Sequence, residues 1–400
     1  MPAVLIKPDI FWIGVNDRIT DLFEGLWPIT NEGVSYNSYL IDDEKKAVID
    51  LTKSFKGDEY LTQIDEIIDA AKIDYIIINH MEPDHTGLLR TIRRISPEVT
   101  FIGTAKTKKM LEDFYSLKNN VEVVKDGDVL PLGKRTLKFF VTPFLHWPET
   151  MMTYETSDHI LFSCDAFGGY GAIEGSIFDG DCGEIDFYQR EALRYYVNIV
   201  ANFSPRVLSA IDKLADLKVD VIAPSHGLVW RKEPERIVAL YKKWAQYASD
   251  KAEPGITLIH GSMYGSTDIA MKAVAQGISR AKVPFEIFDA ARTHVSYILS
   301  SLWTKRAVMI GAPTYEVSLF PPMADVLNMA ARKRIKNKMA AYFGSYGWSG
   351  GALKEIQKII EPLKWDLEDT LVFLGAPKKE DVKKAEEFGF RFAQAVKKED

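Results

Sequence analysis

Asn79-His80-Met81-Glu82-Pro83-Asp84-His85 follows directly on the apolar run Tyr75-Ile76-Ile77-Ile78. The run reads as a buried strand, and a stretch of imidazoles and carboxylates packed against its end converges on a pocket instead of lying along a solvated face. Imidazole and carboxylate together suit a borderline cation such as zinc or iron. Gly87, just beyond His85, is expected to let the chain turn tightly before a helix.

Working outward, the same placement recurs. His146 follows the strand-like Phe139-Phe140-Val141-Thr142, Asp165 follows Ile160-Leu161-Phe162-Ser163-Cys164, and His226 follows Val219-Asp220-Val221-Ile222-Ala223-Pro224-Ser225. A lone histidine is more often a hydrogen-bonded structural residue than a ligand. Here four of the seven histidines stand at strand ends with acidic residues between them, which chance explains poorly.

Around these residues the first half reads as short strands, then mixed strands and helices. Strands are expected at Phe11 to Val15, Tyr36 to Ile41, Ala47 to Asp50, Thr100 to Gly103, Val121 to Val124, Leu137 to Thr142, Met151 to Tyr154 and Ile160 to Cys164. A helix is expected from Glu59 to Ala71, with Leu61, Ile64, Ile67 and Ile68 on one face. This is an α/β sandwich pattern. The 400 residues, 46% hydrophobic, exceed what one domain usually holds. A net charge of -6 offers no basic surface for nucleic acid or an anionic membrane. With no leader at Met1 and no apolar run near the roughly 20 residues that span a bilayer, a cytoplasmic protein is expected. Cys164 and Cys182 are too few for a disulfide framework or a four-cysteine iron site.

The first half resembles the metallo-β-lactamase fold, whose motif is His-x-His-x-Asp-His followed by a distant His, a bridging Asp and a last His. Glu82 stands where the hydrolases carry their second histidine. A carboxylate there adds negative charge and a hard oxygen donor, which favours ferric iron over a zinc-bound hydroxide. His80-x-Glu82-x-Asp84-His85 with His146, Asp165 and His226 is similar to the diiron site of flavodiiron proteins. That resemblance implies one iron on His80, Glu82 and His146, a second on Asp84, His85 and His226, and Asp165 bridging the two. It also implies a pocket tyrosine, for which Tyr195 is the better match, with Tyr196 open. Glu24 falls where some members present a pocket histidine.

After the charged, loop-like Ser249 to Gly255 a new βα alternation begins with Ile256-Thr257-Leu258-Ile259-His260 and the loop Gly261-Ser262-Met263-Tyr264-Gly265-Ser266-Thr267. Hydroxyls and a flexible glycine between strand and helix suit a phosphate. Two more strand-end loops follow, one with Pro313, Thr314, Tyr315 and Glu316, the other with Ser345, Tyr346, Gly347, Trp348, Ser349 and Gly350. Their aromatics could flank a flat ring whose edge bonds to loop backbone. This half resembles flavodoxin, an FMN-binding five-stranded parallel fold, with further strands at Phe285 to Phe288 and Thr370 to Leu374.

The expected architecture is therefore α/β: an αββα metallo-β-lactamase-like sandwich over residues 1–250, then a flavodoxin-like doubly wound parallel sheet over 254–400. The resemblance implies an oxidoreductase in which FMN feeds two iron ions that reduce dioxygen to water or nitric oxide to nitrous oxide. The chain ends soon after a helix from Glu380 to Lys398 without a donor domain, so a separate rubredoxin-like protein or a reduced deazaflavin cofactor is expected to supply electrons. A homodimer, head to tail, or a dimer of dimers is implied, with no nucleic acid or membrane partner. The alternative is a zinc-dependent hydrolase fused to an FMN domain, against which Glu82 argues. His159, His260 and His294 lie outside the ligand series and read as structural or surface residues.

Overall fold

Short runs of β-branched and aromatic residues build two sheets in the first part of the chain. In the computed structural model, which describes Met1–Lys398, the chain divides into two units, Met1–Ala245 and Gln246–Asp400. The first sheet has seven strands in chain order: β1 (Val4–Lys7), β2 (Ile10–Trp12), β3 (Tyr39–Asp42), β4 (Lys46–Ile49), β5 (Tyr75–Ile77), β6 (Thr100–Gly103) and β7 (Val121–Val123). Pairing is antiparallel from β1 to β4 and parallel from β4 to β7. The second sheet also keeps chain order, with β8 (Val129–Pro131), β9 (Thr136–Val141), β10 (Met151–Glu155), β11 (Ile160–Cys164) and β12 (Val221–Pro224).

Period-two alternation sends one face of each sheet into a shared core. Trp12, Tyr39, Ile41, Ile49, Ile77 and Ile102 from the first sheet meet Leu137, Phe139, Met151, Phe162, Val221 and Ala223 from the second. On the opposite face of the first sheet, Leu40, Val48, Ile76 and Phe101 are also buried. Two-sided burial of both sheets' central strands is the signature of an αββα sandwich.

Several local expectations change. The run Phe11 to Val15 splits into β2 and a short ribbon strand at Val15–Asp17, and Tyr36 to Ile41 splits between its ribbon partner Val34–Tyr36 and β3. The second break falls at Asn37, whose backbone amide donates to the Ser225 carbonyl at 2.7 Å while its side chain accepts from Trp12 Nε1 at 2.9 Å and donates to the Pro224 and Gly227 carbonyls. The helix expected over 59–71 runs Gly57–Asp65, because Asp69 caps a separate 3-10 turn, Ala70–Lys72, by accepting from the Ala71 amide. Gly87 has an ordinary helical φ of -59°. Its missing side chain serves close approach, since a Cβ there would lie 2.6 Å from the Ser54 nitrogen.

The second unit is one parallel sheet of β13 (Glu253–His260), β14 (Phe285–Asp289), β15 (Lys305–Gly311), β16 (Met339–Tyr346) and β17 (Asp366–Leu374), in the order β14-β13-β15-β16-β17. That is the flavodoxin-like doubly wound order, and its switch point falls between β13 and β15. Glu253 to Gly255, read from sequence as connector, belong to β13, with Glu253 opposite Lys305 across a bulge. No helix among the described residues is long and apolar enough to cross a membrane.

Candidate metal and nucleotide sites

Four strand ends deliver the candidate metal-ligating side chains to one place. After β5 the chain passes Asn79, whose amide donates to Asp50 Oδ1 at 2.8 Å and whose side chain accepts from Thr153 in the second sheet. Pro83 then starts a one-turn helix, Pro83–Thr86, that turns Asp84 and His85 inward. Asp165 Oδ2 lies 3.1 Å from His146 Nε2 and 3.4 Å from His80 Nε2, while its Oδ1 lies 3.1 Å from His85 Nε2 and 3.3 Å from His226 Nε2. Glu82 Oε2 joins the first pair at 3.2 Å from His80 and 3.3 Å from His146, and Asp84 joins the second at 3.5 Å from His85 and 3.4 Å from His226. Two donor groups result, one of His80, Glu82, His146 and Asp165 and one of Asp84, His85 and His226, with Asp165 turned to both.

Despite these short separations, His85 Nε2, His226 Nε2, Asp84 Oδ1 and both Asp165 oxygens are buried without a hydrogen-bond partner. Unpaired buried polar atoms are costly. Partnerless ligand atoms gathered within 4.8 Å of one another in each group are what a bound cation would satisfy. Burial pushes the imidazoles toward neutrality, yet the carboxylates outweigh it and hold His146 up at about 10 and His226 at about 9. Asp165 stays well below the usual carboxylate range although burial opposes this, chiefly through His85. Strain gathers here as well, with left-handed φ at Asp50, Phe144 and Cys164.

Several contributors carried no clear signal in the sequence. Glu149 Oε1 lies 2.8 Å from His80 Nδ1, and the Ser35 carbonyl lies 2.7 Å from His226 Nδ1. Asp50 and Cys164 lie against His85. An acidic residue three positions after His146 was the available hint for Glu149, and an Asp closing the strand Ala47-Val48-Ile49 the hint for Asp50.

Tyr195 is buried with its ring 5.5 Å from that of His226 and 5.1 Å from Tyr170. Tyr196 points elsewhere: its hydroxyl bonds to Ser204 and its ring packs on Tyr241 and Trp244. A π-helical turn, Tyr196–Val200, follows the helix Ile185–Tyr195 and separates the two directions. Beside the donor groups a cavity of about 480 Å³ is lined by Phe23, Glu24, Lys53, Glu82, Pro83 and Asp84. Burial and the adjacent Glu82 raise the Glu24 carboxyl to about 7, and its Oε2 accepts from Trp27 Nε1 at 3.2 Å. The remaining histidines have other partners: His159 bonds Tyr154, His260 bonds Asp268, and His294 caps the helix Val295–Thr304.

In the second unit the three expected loops leave the C-terminal ends of β13, β15 and β16, which are adjacent. Gly265, at φ 88°, precedes the helix Ser266–Ala281, whose first turn has no side-chain cap. Its amides are thus available to an anion. Ser262 Oγ braces the loop by accepting from the Gly265 amide at 3.0 Å, and Thr267 Oγ1 lies 3.5 Å from Ser345 Oγ. Pro313 leads into a hairpin of Thr314–Tyr315 and Ser318–Leu319, turned at Glu316 and Val317, both with positive φ. Met263, Tyr264, Tyr315 and Trp348 are exposed, Trp348 by 85% and Tyr264 by 94%. Gly347, Ser349 and Gly350 complete the open third loop with Tyr346.

Residues 34–227 match the family model described as ODP family beta lactamase, and residues 258–389 match Flavodoxin. A curated relative, the anaerobic nitric oxide reductase flavorubredoxin of Escherichia coli K12, is 35% identical over 98% of this chain and 82% of its own. The flavodiiron protein from Giardia intestinalis superposes with a TM-score of 0.93 at 28% identity, covering 100% of this chain and 97% of that one. Rubredoxin oxygen:oxidoreductase from Desulfovibrio gigas superposes with a TM-score of 0.92 at 29% identity, covering 99% of each.

Proposed function

The chain belongs to the flavodiiron proteins, and on that premise we propose which of its residues do the work. It is an oxidoreductase that reduces dioxygen to water or nitric oxide to nitrous oxide. His80, Glu82 and His146 would hold one iron, and Asp84, His85 and His226 the other. Asp165 would be shared. The observation that carries this reading is the division of Asp165, each oxygen facing its own pair of imidazoles. The partnerless buried nitrogens and oxygens fit a bound metal pair.

The second unit fits FMN by the same kind of test. An uncapped helix start at Gly265 offers amides to a phosphate, with the Ser262, Ser266 and Thr267 hydroxyls beside it. Tyr264, Tyr315, Tyr346 and Trp348 offer faces to a flat ring, and the backbone of 313–316 and 345–350 offers polar groups to its edge.

FMN held by the loops 262–267, 313–316 and 345–350 would supply single-electron transfer, and two irons held by His80, Glu82, His146, Asp84, His85, His226 and Asp165 would supply the redox chemistry for reducing the diatomic gas. The protein's part is positioning and charge. Asp165 would keep the two donor groups adjacent, and Glu82 and Asp84 would offer hard anionic oxygens suited to ferric iron. Phe23 and Tyr195 wall the His226 ring with apolar surface and so limit water there. Tyr195 is the phenol we assign to the pocket.

With Cys164 and Cys182 the sole cysteines, these 400 residues offer no four-cysteine iron centre. As electron donor we take a rubredoxin-like protein or a reduced deazaflavin, in line with the rubredoxin oxygen:oxidoreductase to which the chain is similar. We further take the working unit to be a cytoplasmic homodimer in which the FMN of one chain serves the irons of its partner. Metal and flavin analysis of the purified protein tests the assignment. Two irons and one FMN per chain are expected, and in Asp165→Ala the iron falls while FMN stays. Zinc in place of iron would favour a hydrolase and overturn it.

A further inference from the structure

Glu149 is fully buried, and its carboxylate is oddly provisioned. Oε1 accepts from His80 Nδ1 at 2.8 Å and from the Met81 amide at 2.9 Å, while Oε2 has no hydrogen-bond partner. No lysine or arginine pairs with it among the described residues; its one ionisable partner is His80. A buried carboxylate is expensive unless positive charge faces it. Holding an imidazole Nδ1 needs no such charge, because the Ser35 carbonyl does the same for His226 at 2.7 Å. The charge of Glu149 therefore has a use beyond fixing a ring.

Its place in the chain suggests that use. Glu149 lies three residues after His146, and its backbone carbonyl accepts from Thr104 Oγ1 at 3.1 Å. Through Met81 and His80 it ties the loop carrying His80 and Glu82 to the loop carrying His146. Three of the four members of that donor group, His80, Glu82 and His146, thus sit on the two loops this carboxylate joins. A carboxylate behind an imidazole also fixes its tautomer, leaves Nε2 free for a metal and makes it a stronger donor.

Resting on the diiron assignment above, we infer that Glu149 is a positioning residue for the iron held by His80, Glu82 and His146, and that its negative charge tightens that iron and favours its ferric state. It does not touch the gas or the metal itself.

E149Q tests this, because an amide oxygen can keep both bonds to Oε1 while the charge is removed. E149D keeps the charge on a shorter arm. Wild type and both variants are compared for the rate of iron loss to an excess of ferrous chelator and for the midpoint potentials of the diiron centre in an EPR-monitored redox titration. Circular dichroism checks that the first unit is folded. For E149Q, iron loss roughly ten- to a hundredfold faster is expected from the usual weight of such partners, with potentials shifted positive. E149D should lie nearer wild type in both. Should E149Q lose its iron on purification, retention by E149D is the expected result, and loss from both variants overturns the role assigned to charge. Unchanged iron loss and unchanged potentials in E149Q overturn the inference while leaving the diiron assignment intact. Wild type that takes up no iron refutes both, and does so before any variant is made.

Discussion

Gly351 passes so close to Val317 that a Cβ on it would stand 1.8 Å from the Val317 carbonyl oxygen. The contact locks the loop after β16 to the hairpin after β15. Leu319, on the same hairpin, donates its amide to Glu355 Oε2 at 2.7 Å in the helix that follows Gly351. Two of the three loops assigned to FMN are thus held as one piece.

Gly351→Ala should therefore force the two loops apart. Overpacking of this kind costs about 1–3 kcal/mol, so the Kd for FMN should rise roughly five- to 150-fold. Flavin fluorescence titration of the apoprotein measures it. Iron content belongs to the other unit and should not change. Wild-type FMN affinity in the variant would show that these loops do not cradle the flavin.

Glu82→His restores the hydrolase pattern at the position where Oε2 now faces His80 and His146. Replacing a hard anionic oxygen by imidazole should move the purified metal from iron toward zinc and abolish gas reduction. Metal analysis with an oxygen electrode reads both. A variant that kept iron and turned over normally would remove Glu82 as the residue that decides between the two chemistries.

The head-to-tail homodimer proposed above predicts complementation. Asp165→Ala keeps its flavin loops, and a chain altered at Ser266 and Thr267 keeps its metal ligands. Mixed under conditions that exchange subunits, the pair should recover activity neither has alone, because one intact FMN faces one intact metal pair. Continued inactivity after proven exchange would mean that cofactor pairs lie within single chains.

Lys338 gives a pH signature for the second unit. Burial lowers its ammonium from the usual 10.5 to about 7, although the Trp303 and Lys305 carbonyls accept from Nζ at 3.2 and 2.6 Å. Between those values the unfolded chain keeps a proton that the folded chain has lost, so stability rises with pH, by at most about 1.4 kcal/mol per unit, and the rise ends below pH 7. Denaturant unfolding at pH 7, 8 and 9 should show this slope in wild type and a flatter one in Lys338→Met. Equal slopes would mean that Lys338 keeps its proton when folded.

Much of this was legible because strands deliver their last residues to one edge. His80, Asp84, His85, His146, Asp165 and His226 could be picked out by what precedes them, and Glu82 by standing where the hydrolase motif has its second histidine. The phosphate-type loop at 261–267 was legible for the same reason. What the sequence hid depends on contacts far along the chain. Glu149 is defined by His80, 69 residues away. A strand-like run breaks at Asn37, where Ser225 takes its amide and Pro224 and Gly227 its side chain. Tyr195 and Tyr196, adjacent and alike, are told apart by a helical turn whose widening nothing in Tyr-Tyr-Val-Asn announces.

The most direct test is rapid mixing of the fully reduced, iron-loaded protein with dioxygen, following FMN reoxidation and assaying peroxide. FMN and two irons together hold four electrons, enough to take one dioxygen to water. Wild type should reoxidise its FMN rapidly without releasing peroxide. Asp165→Ala should do so only at the slow rate of a flavin exposed to oxygen, and with peroxide as product. Rapid, peroxide-free reoxidation in Asp165→Ala would contradict the claim that this carboxylate unites two metal sites into the gas-reducing centre.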